Sequence, residues 1–208
     1  MNIILIGPQG SGKGTQAELL AKKYKLPVIG IGSLFRQEVQ HKTKLGKKVG
    51  KYMLKGSLVP DHFTEELLKR ELRKAKYLRG AIYDGFPRDY KQLKLLEKLI
   101  IINYVIFIGI NQKSSIKRLS SRRICGCGQT YNIKTDRPKH ALICDQCGKN
   151  LSQRADDTPQ AIKNRLRIFK KETLPLLKYF KKERKLIKIN GEASIKKVFS
   201  LILKDLKS

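Results

Sequence analysis

Gly7-Pro8-Gln9-Gly10-Ser11-Gly12-Lys13-Gly14-Thr15 comes directly after the apolar run Asn2–Ile6. A short run rich in Ile and Leu, followed at once by glycines, reads as a buried parallel strand feeding a helix. The glycines let the chain curl so that successive N–H groups face one anion. The helix N-terminus adds its dipole, and Lys13 adds a charge at the terminal phosphates. The usual pattern places Ser or Thr directly after the Lys; here Gly14 holds that place and the hydroxyl arrives at Thr15. The stretch from Gly10 to Thr15 therefore predicts a nucleotide-phosphate loop and is silent about the reaction.

Outward from this loop the pattern repeats. A helix from Lys13 would place Ala17, Leu20, Ala21 and Tyr24 on one face. Further strands are expected at 27–31, 81–83, 104–108 and 186–189. Helices are expected at 33–41, 45–55, 61–76, 90–98, 113–122, 160–182 with a break at Pro175, and 194–206. Short apolar strands alternating with helices predict an α/β chain with a doubly wound five-stranded parallel sheet, whose ligands lie at the carboxyl ends of the strands. Asp84-Gly85-Phe86-Pro87-Arg88 falls at such an end. There Asp84 is a candidate to organise Mg²⁺ through its waters, or simply to cap the turn.

The 208 residues suit one domain with a small insertion, and 40% hydrophobic against 30% charged residues excludes a disordered tail or a membrane bundle. The formal charge is +29, yet only 13 of the 46 basic residues are Arg, and the Lys residues are scattered from Lys13 to Lys207 without aromatic interleaving. That distribution reads as a solvated surface in preference to a nucleic-acid face. No apolar run approaches the ~20 residues that span a bilayer, and the first residues lack the pattern of a signal peptide. A soluble cytoplasmic protein with neither a membrane nor a nucleic-acid partner is expected.

Residues 123–158 change character, with Gly, Cys, Asp and Pro and no helical period. Cys125-Gly126-Cys127 and Cys144-Asp145-Gln146-Cys147, 16 residues apart, pair thiolates as a tetrahedral zinc site would need; free or redox-active thiols are the alternative. His140 reads as a solvated loop residue. Thr158-Pro159 then starts a helix, with Thr as cap and Pro in the first turn.

Gly7–Thr15 together with Asp84–Arg88 resembles the nucleoside monophosphate kinases. The cysteine insertion and Gln153-Arg154-Ala155-Asp156-Asp157 narrow the likeness to the long-lid adenylate kinases, over essentially the whole chain. The resemblance implies a monomeric enzyme moving the γ-phosphoryl group of MgATP to AMP to give two ADP, with structural Zn²⁺ in the lid. It implies a core of 1–29, 60–121 and 160–208, a monophosphate-binding insertion at 30–59 and a lid at 122–159 with hinges near 121–123 and 156–159. Gly10, Ser11, Gly12, Lys13, Gly14, Thr15, Arg118 and Arg122 would bind ATP, with Arg118 over its adenine. Ile31, Gly32, Arg36, Ser57, Leu58, Val59, Gly85, Arg88, Gln92, Arg154 and Arg165 would bind AMP. Lys13, Arg88, Arg122, Arg154 and Arg165 would be catalytic, Asp84 would hold Mg²⁺ through water, and Cys125, Cys127, Cys144 and Cys147 would hold zinc. Asp156 and Asp157 are expected to tether the lid by ion pairs. Two departures stand out. The family's Thr-Gly-Asp is Ile31-Gly32-Ser33 here, which opens the reading of another monophosphate acceptor, and the first Cys pair is one residue shorter than the family's Cys-x-x-Cys.

Overall fold

The computed structural model describes residues 1–207. Its strands are β1 (Ile3–Ile6), β2 (Val28–Gly30), β3 (Ile82–Asp84), β4 (Tyr104–Gly109), β5 (Arg122–Ile124), β6 (Thr130–Asn132) and β7 (Leu186–Asn190). The helices are α1 (Lys13–Tyr24), α2 (Ile31–Gln40), α3 (Lys44–Leu54), α4 (Asp61–Leu72), α5 (Tyr90–Leu99), α6 (Gln112–Ser120), α7 (Pro159–Ile168), α8 (Leu176–Lys182) and α9 (Ile195–Lys207). Five strands form one parallel sheet in the order β2-β3-β1-β4-β7, and β5 and β6 form a separate antiparallel pair.

Strand periodicity builds the two faces. Ile4 and Ile6 join one apolar cluster with Leu67, Leu68, Leu93, Leu96, Leu176 and Phe180, so α4, α5 and α8 cover that side. Ile3 and Leu5 point the other way, to Ala17, Leu20, Val198 and Ile202 of α1 and α9. Each fully buried Ile or Leu contributes roughly 1.5–3 kcal/mol, so this double-sided core makes a rigid platform. The chain leaves β1 toward β2 and β3 on one side and later reaches β4 and β7 on the other. The crevice at the reversal lies at the carboxyl end of β1, where the glycine loop sits.

Several boundaries differ from the sequence reading. Ile31 is not the end of a strand but the first residue of α2, because β2 stops at Gly30. The fourth helix stops at Leu72, followed by a short 3-10 turn at Ala75–Tyr77. The sixth stops at Ser120, so Arg122 belongs to β5 and not to a helix end. Before Pro175 the chain widens into a π-helical turn over Phe169–Thr173. Side-chain caps fix the entries of four helices: Thr43, Asp89, Asn111 and Thr158 each accept from a backbone N–H three residues on.

Candidate active site

The glycine loop is shaped by close approach to the sheet. Gly10 and Gly12 have φ of 81° and 93°, left-handed values that glycine adopts without penalty. A Cβ on Gly7 would stand 2.4 Å from the carbonyl oxygen of Ile108 in β4. Lys13 folds back over this loop, its Nζ donating to the carbonyls of Gly7 at 2.7 Å and Pro8 at 2.9 Å. Burial pulls the Lys13 pKa down to about 8; Asp84 opposes the fall, and Arg88 and Arg122 add to it. The ammonium thus sits among neutral carbonyl oxygens with unspent positive potential. Asp84 faces the loop from the end of β3, with Oδ2 3.5 Å from where a Cβ on Gly14 would be.

Arg36, Arg88, Arg118, Arg122, Arg154 and Arg165, each from a different element or connecting segment, line the same cleft as Lys13, and Arg70 of α4 lines it as well. The cleft encloses about 1590 Å³, above the ~300–1,000 Å³ usual for one small ligand. Asp156 and Asp157 are 5% and 1% exposed and organise this cluster. Arg122 grips Asp157 with both edges of its fork, Nε at 2.8 Å and Nη2 at 2.6 Å. Arg165 donates to Asp157 at 3.2 Å and also pairs with Asp156. Arg36 lies 3.8 Å from the same Asp156. Desolvation works to raise the Asp156 pKa, but Arg165 and Arg36 hold it below the usual carboxylate range. The expected tether is therefore made to the cleft's own arginines.

Arg88 is locked in place by its backbone. Its N–H donates to Gln92 Oε1 at 2.9 Å, its carbonyl accepts from Thr173 Oγ1 at 2.7 Å, and its Nε donates to the Gly85 carbonyl at 2.8 Å. Burial, then Arg165, lowers its pKa to about 10. The Arg154 guanidinium donates to Thr130 Oγ1 at 3.3 Å through Nη2, while its buried Nε has no partner. Burial, then Arg122 and Arg36, lowers its pKa to about 9. These depressed values share one source: cations crowded out of water with too little carboxylate among them. Arg118 reaches back from α6, its Nη1 3.4 Å from the Gly10 carbonyl.

On the second side of the cleft, the guanidinium tips of Arg36 and Arg88 lie over Gly32, where a Cβ would come within 3.4 Å and 3.6 Å of them. Ile31, Ser57, Leu58 and Val59 line the wall, and Gly85 turns beneath Arg88 at φ 69°. Ile31 is buried and offers no hydrogen bond. Ser33 Oγ accepts from Arg36 Nη2 at 3.0 Å. The buried Gln92 amide is divided between Arg88 N–H and Asp61 Oδ1, the latter at 3.3 Å.

Over the cleft stands the β5–β6 hairpin with the cysteines. The four Sγ atoms lie within 4.8 Å of one another; Cys125 and Cys147 are 3.3 Å apart, and Cys127 and Cys144 are 3.6 Å apart. Tetrahedral zinc with Zn–S of ~2.3 Å sets its sulfurs about 3.8 Å apart, so this donor set fits. Both knuckles close with the same pair of backbone bonds. Gly128 N–H donates to the Cys125 carbonyl and Cys125 N–H to that of Gln129; Gly148 and Cys144 repeat this with Cys144 and Lys149. The shorter Cys-x-Cys is accommodated by a turn with one residue fewer between the same bonds. His140 is exposed and lies outside the cluster.

Some participants escaped the sequence reading. Thr173 fixes Arg88, and nothing in the pattern around Pro175 points to it. Gln16 is 2% exposed, and its Nε2 donates to the Ile195 carbonyl at 3.0 Å, tying α1 to the first residue of α9, which lines the cleft. A polar residue beside Ala17 on the buried face of α1 was the available signal.

Comparison with known proteins agrees with this geometry. The sequence model of the family described as "Adenylate kinase" matches residues 5–185. Curated adenylate kinases of Caldanaerobacter subterraneus subsp. tengcongensis, Clostridium tetani and Methanothrix thermoacetophila are 41%, 40% and 40% identical to the chain. They cover 99%, 97% and 98% of it and 96%, 96% and 97% of their own lengths. Similarity of this extent, joined to a glycine loop and an arginine-lined cleft, places the chain in the adenylate kinase family, enzymes that interconvert ATP plus AMP and two ADP.

Proposed function

We propose that in this adenylate kinase Lys13 and the arginine cluster carry the transfer, with ATP on the loop side of the cleft and AMP on the Gly32 side. One observation carries the reading: seven cations from separate elements converge on a single cleft large enough for two nucleotides. In the reaction, an oxygen of the AMP phosphate forms a bond to the γ-phosphorus as the bond to the β,γ-bridging oxygen breaks. The transition state spreads charge over the moving group, so positioned cations supply the stabilisation and little proton chemistry is needed. Gly10 through Thr15 would cradle the ATP phosphates with backbone N–H groups and the Lys13 ammonium, and Arg118 would cover the adenine. Arg36 and Arg88 would hold the AMP phosphate, and Arg122, Arg154 and Arg165 would converge on the transferring group. Mg²⁺ bound with ATP neutralises the phosphates, and Asp84, facing the loop, would orient its water shell.

Residues 1–29, 60–121 and 160–208 would then act as the core, 30–59 as the acceptor-binding insertion and 122–159 as the lid. Lid closure brings Arg122 and Arg154 over the γ-phosphate and shuts out water, which would otherwise hydrolyse ATP. Cys125, Cys127, Cys144 and Cys147 would hold zinc that keeps the lid folded. Every group in this scheme comes from one chain, in keeping with a monomer, and four thiolate ligands suit the reducing cytoplasm.

A second acceptor reading rests on Ile31, a buried apolar side chain in the wall beside Gly32. The test of both is turnover with MgATP and a panel of AMP, CMP, UMP and GMP, run beside Lys13→Ala. AMP as best acceptor, with transfer lost in the variant, is expected. A pyrimidine or GMP outcompeting AMP would reverse the acceptor assignment, and equal turnover in the variant would defeat the role given to Lys13.

A further inference from the structure

All five strands of the main sheet run parallel, so their amino ends share one rim, on the far side of the molecule from the cleft. Three segments of this rim are stitched together by hydrogen bonds. The Met1 ammonium donates to the Arg79 carbonyl at 2.8 Å, and Ala81 N–H donates to Asn2 Oδ1 at 3.0 Å. Asn2 Nδ2 donates to the Ile101 carbonyl at 2.8 Å. The loops 73–81 and 100–103 thus flank the first two residues as one continuous surface. The loop 183–185 adjoins it, because Val105 N–H donates to the Lys185 carbonyl at 2.9 Å.

The chemistry of the rim is one-sided. Leu78 and Ile101 are 83% and 79% exposed, the two most exposed large apolar side chains among the described residues, with Met1 and Leu99 partly exposed beside them. Around them stand Lys25, Arg73, Arg79, Arg184 and Lys185, none in an ion pair given by the structure, against the single acidic loop residue Glu183. Lys74 is occupied by Glu71. The rim carries no exposed aromatic on which a nucleic-acid base could stack, since Tyr77 is buried and Tyr104 half-buried.

We propose that this rim is a docking surface for an anionic lipid bilayer. Basic side chains would meet the headgroups while Leu78 and Ile101 enter the boundary between headgroups and acyl chains. Exposed aliphatic side chains encircled by cations match a surface that is anionic outside and apolar just beneath, and they gain nothing from a nucleic-acid backbone. The cleft, at the opposite rim, stays open to nucleotide. The sequence reading expects no membrane partner because it has no spanning segment; a peripheral contact needs none.

The test is co-sedimentation of the full chain with vesicles of phosphatidylcholine mixed with phosphatidylglycerol, against vesicles of phosphatidylcholine alone. Sedimentation with the mixed vesicles only, reversed by salt, is expected. Arg73→Glu/Arg79→Glu/Arg184→Glu should weaken it by about tenfold or more, and Leu78→Asp/Ile101→Asp should weaken it as well, with nucleotide turnover unchanged in both. The same charge change placed on α3, Lys47→Glu/Lys48→Glu/Lys51→Glu, controls for the high overall charge and should leave binding nearly intact. An equal loss from the α3 variant, no response to the two apolar substitutions, or capture of single-stranded RNA in preference to the mixed vesicles would each overturn the proposal.

Discussion

The sheet-borne floor of the cleft and the lid above it hold their cations by opposite means. Lys13 and Arg88 rest on a sheet buried on both faces, fixed by backbone carbonyls and, for Arg88, by side chains from α5 and the π turn. The lid's own apolar contacts amount to Cys125, Cys144 and Leu151 with Tyr131 packed against them. So small a cluster cannot offset the ordering of nearly forty residues, since each fixed residue costs about 1–2 kcal/mol. The lid must borrow order from its base, where Arg122 meets Asp157 and Asn132 Nδ2 donates to the Arg118 carbonyl at 3.0 Å, and, on the proposal above, from a metal on its four thiols. Rigidity on one side and borrowed order on the other is what a closing site requires.

The largest effect is expected on the rigid side. Arg88→Ala should lower kcat/KM by about 10³-fold while circular dichroism and thermal midpoint hold, because the platform does not depend on that guanidinium. A loss of stability in its place would erase the distinction. Next, Leu5→Ala should reduce the global unfolding free energy by about 3 kcal/mol, whereas Leu151→Ala should leave the global midpoint in place and only speed amide exchange in the lid. Equal global losses would mean that the lid is part of the cooperative core. Stripping thiol-bound metal with a chelator should lower kcat by about tenfold, restored by zinc, with exchange rising in 122–159 and unchanged in β1 and β4. The smallest effect is a fraction of a proton. Burial sets Lys13 near a pKa of about 8, and a bound phosphate raises it, so nucleotide binding should take up protons above that pH. Calorimetry in buffers of different ionisation enthalpy should detect uptake at about pH 9 and none at about pH 6, where Lys13 is already charged.

The contrast also explains what could be read in advance. Local order is written in local pattern: Asn2–Ile6, the glycine run and the cap at Thr158 all announce themselves within a few residues. That the sheet is parallel and doubly wound follows from alternation and handedness. Arrangements made by distant partners were illegible. Arg122 looked like the end of a helix because Arg is a good helix former; its place in β5 depends on Thr130–Asn132 across the hairpin and on Asp157. Thr173 sits in a π turn whose extra residue has no periodic signature. The Cys-x-Cys spacing looked short when counted along the chain, and only the paired turns at Gly128 and Gly148 reveal that both ends close alike.

The carboxylates of Asp156 and Asp157 have a consequence for kinetics. On the roles proposed above, an arriving phosphate would not meet a vacant fork on Arg122 or Arg165; it would compete with an anion already seated there. Nucleotide capture would in that sense be a substitution, its driving force the difference between two partners instead of the full attraction of seven positive groups. Affinity would then not climb with every added guanidinium, and in the empty cleft the two resident anions offset the mutual repulsion of the crowded cations.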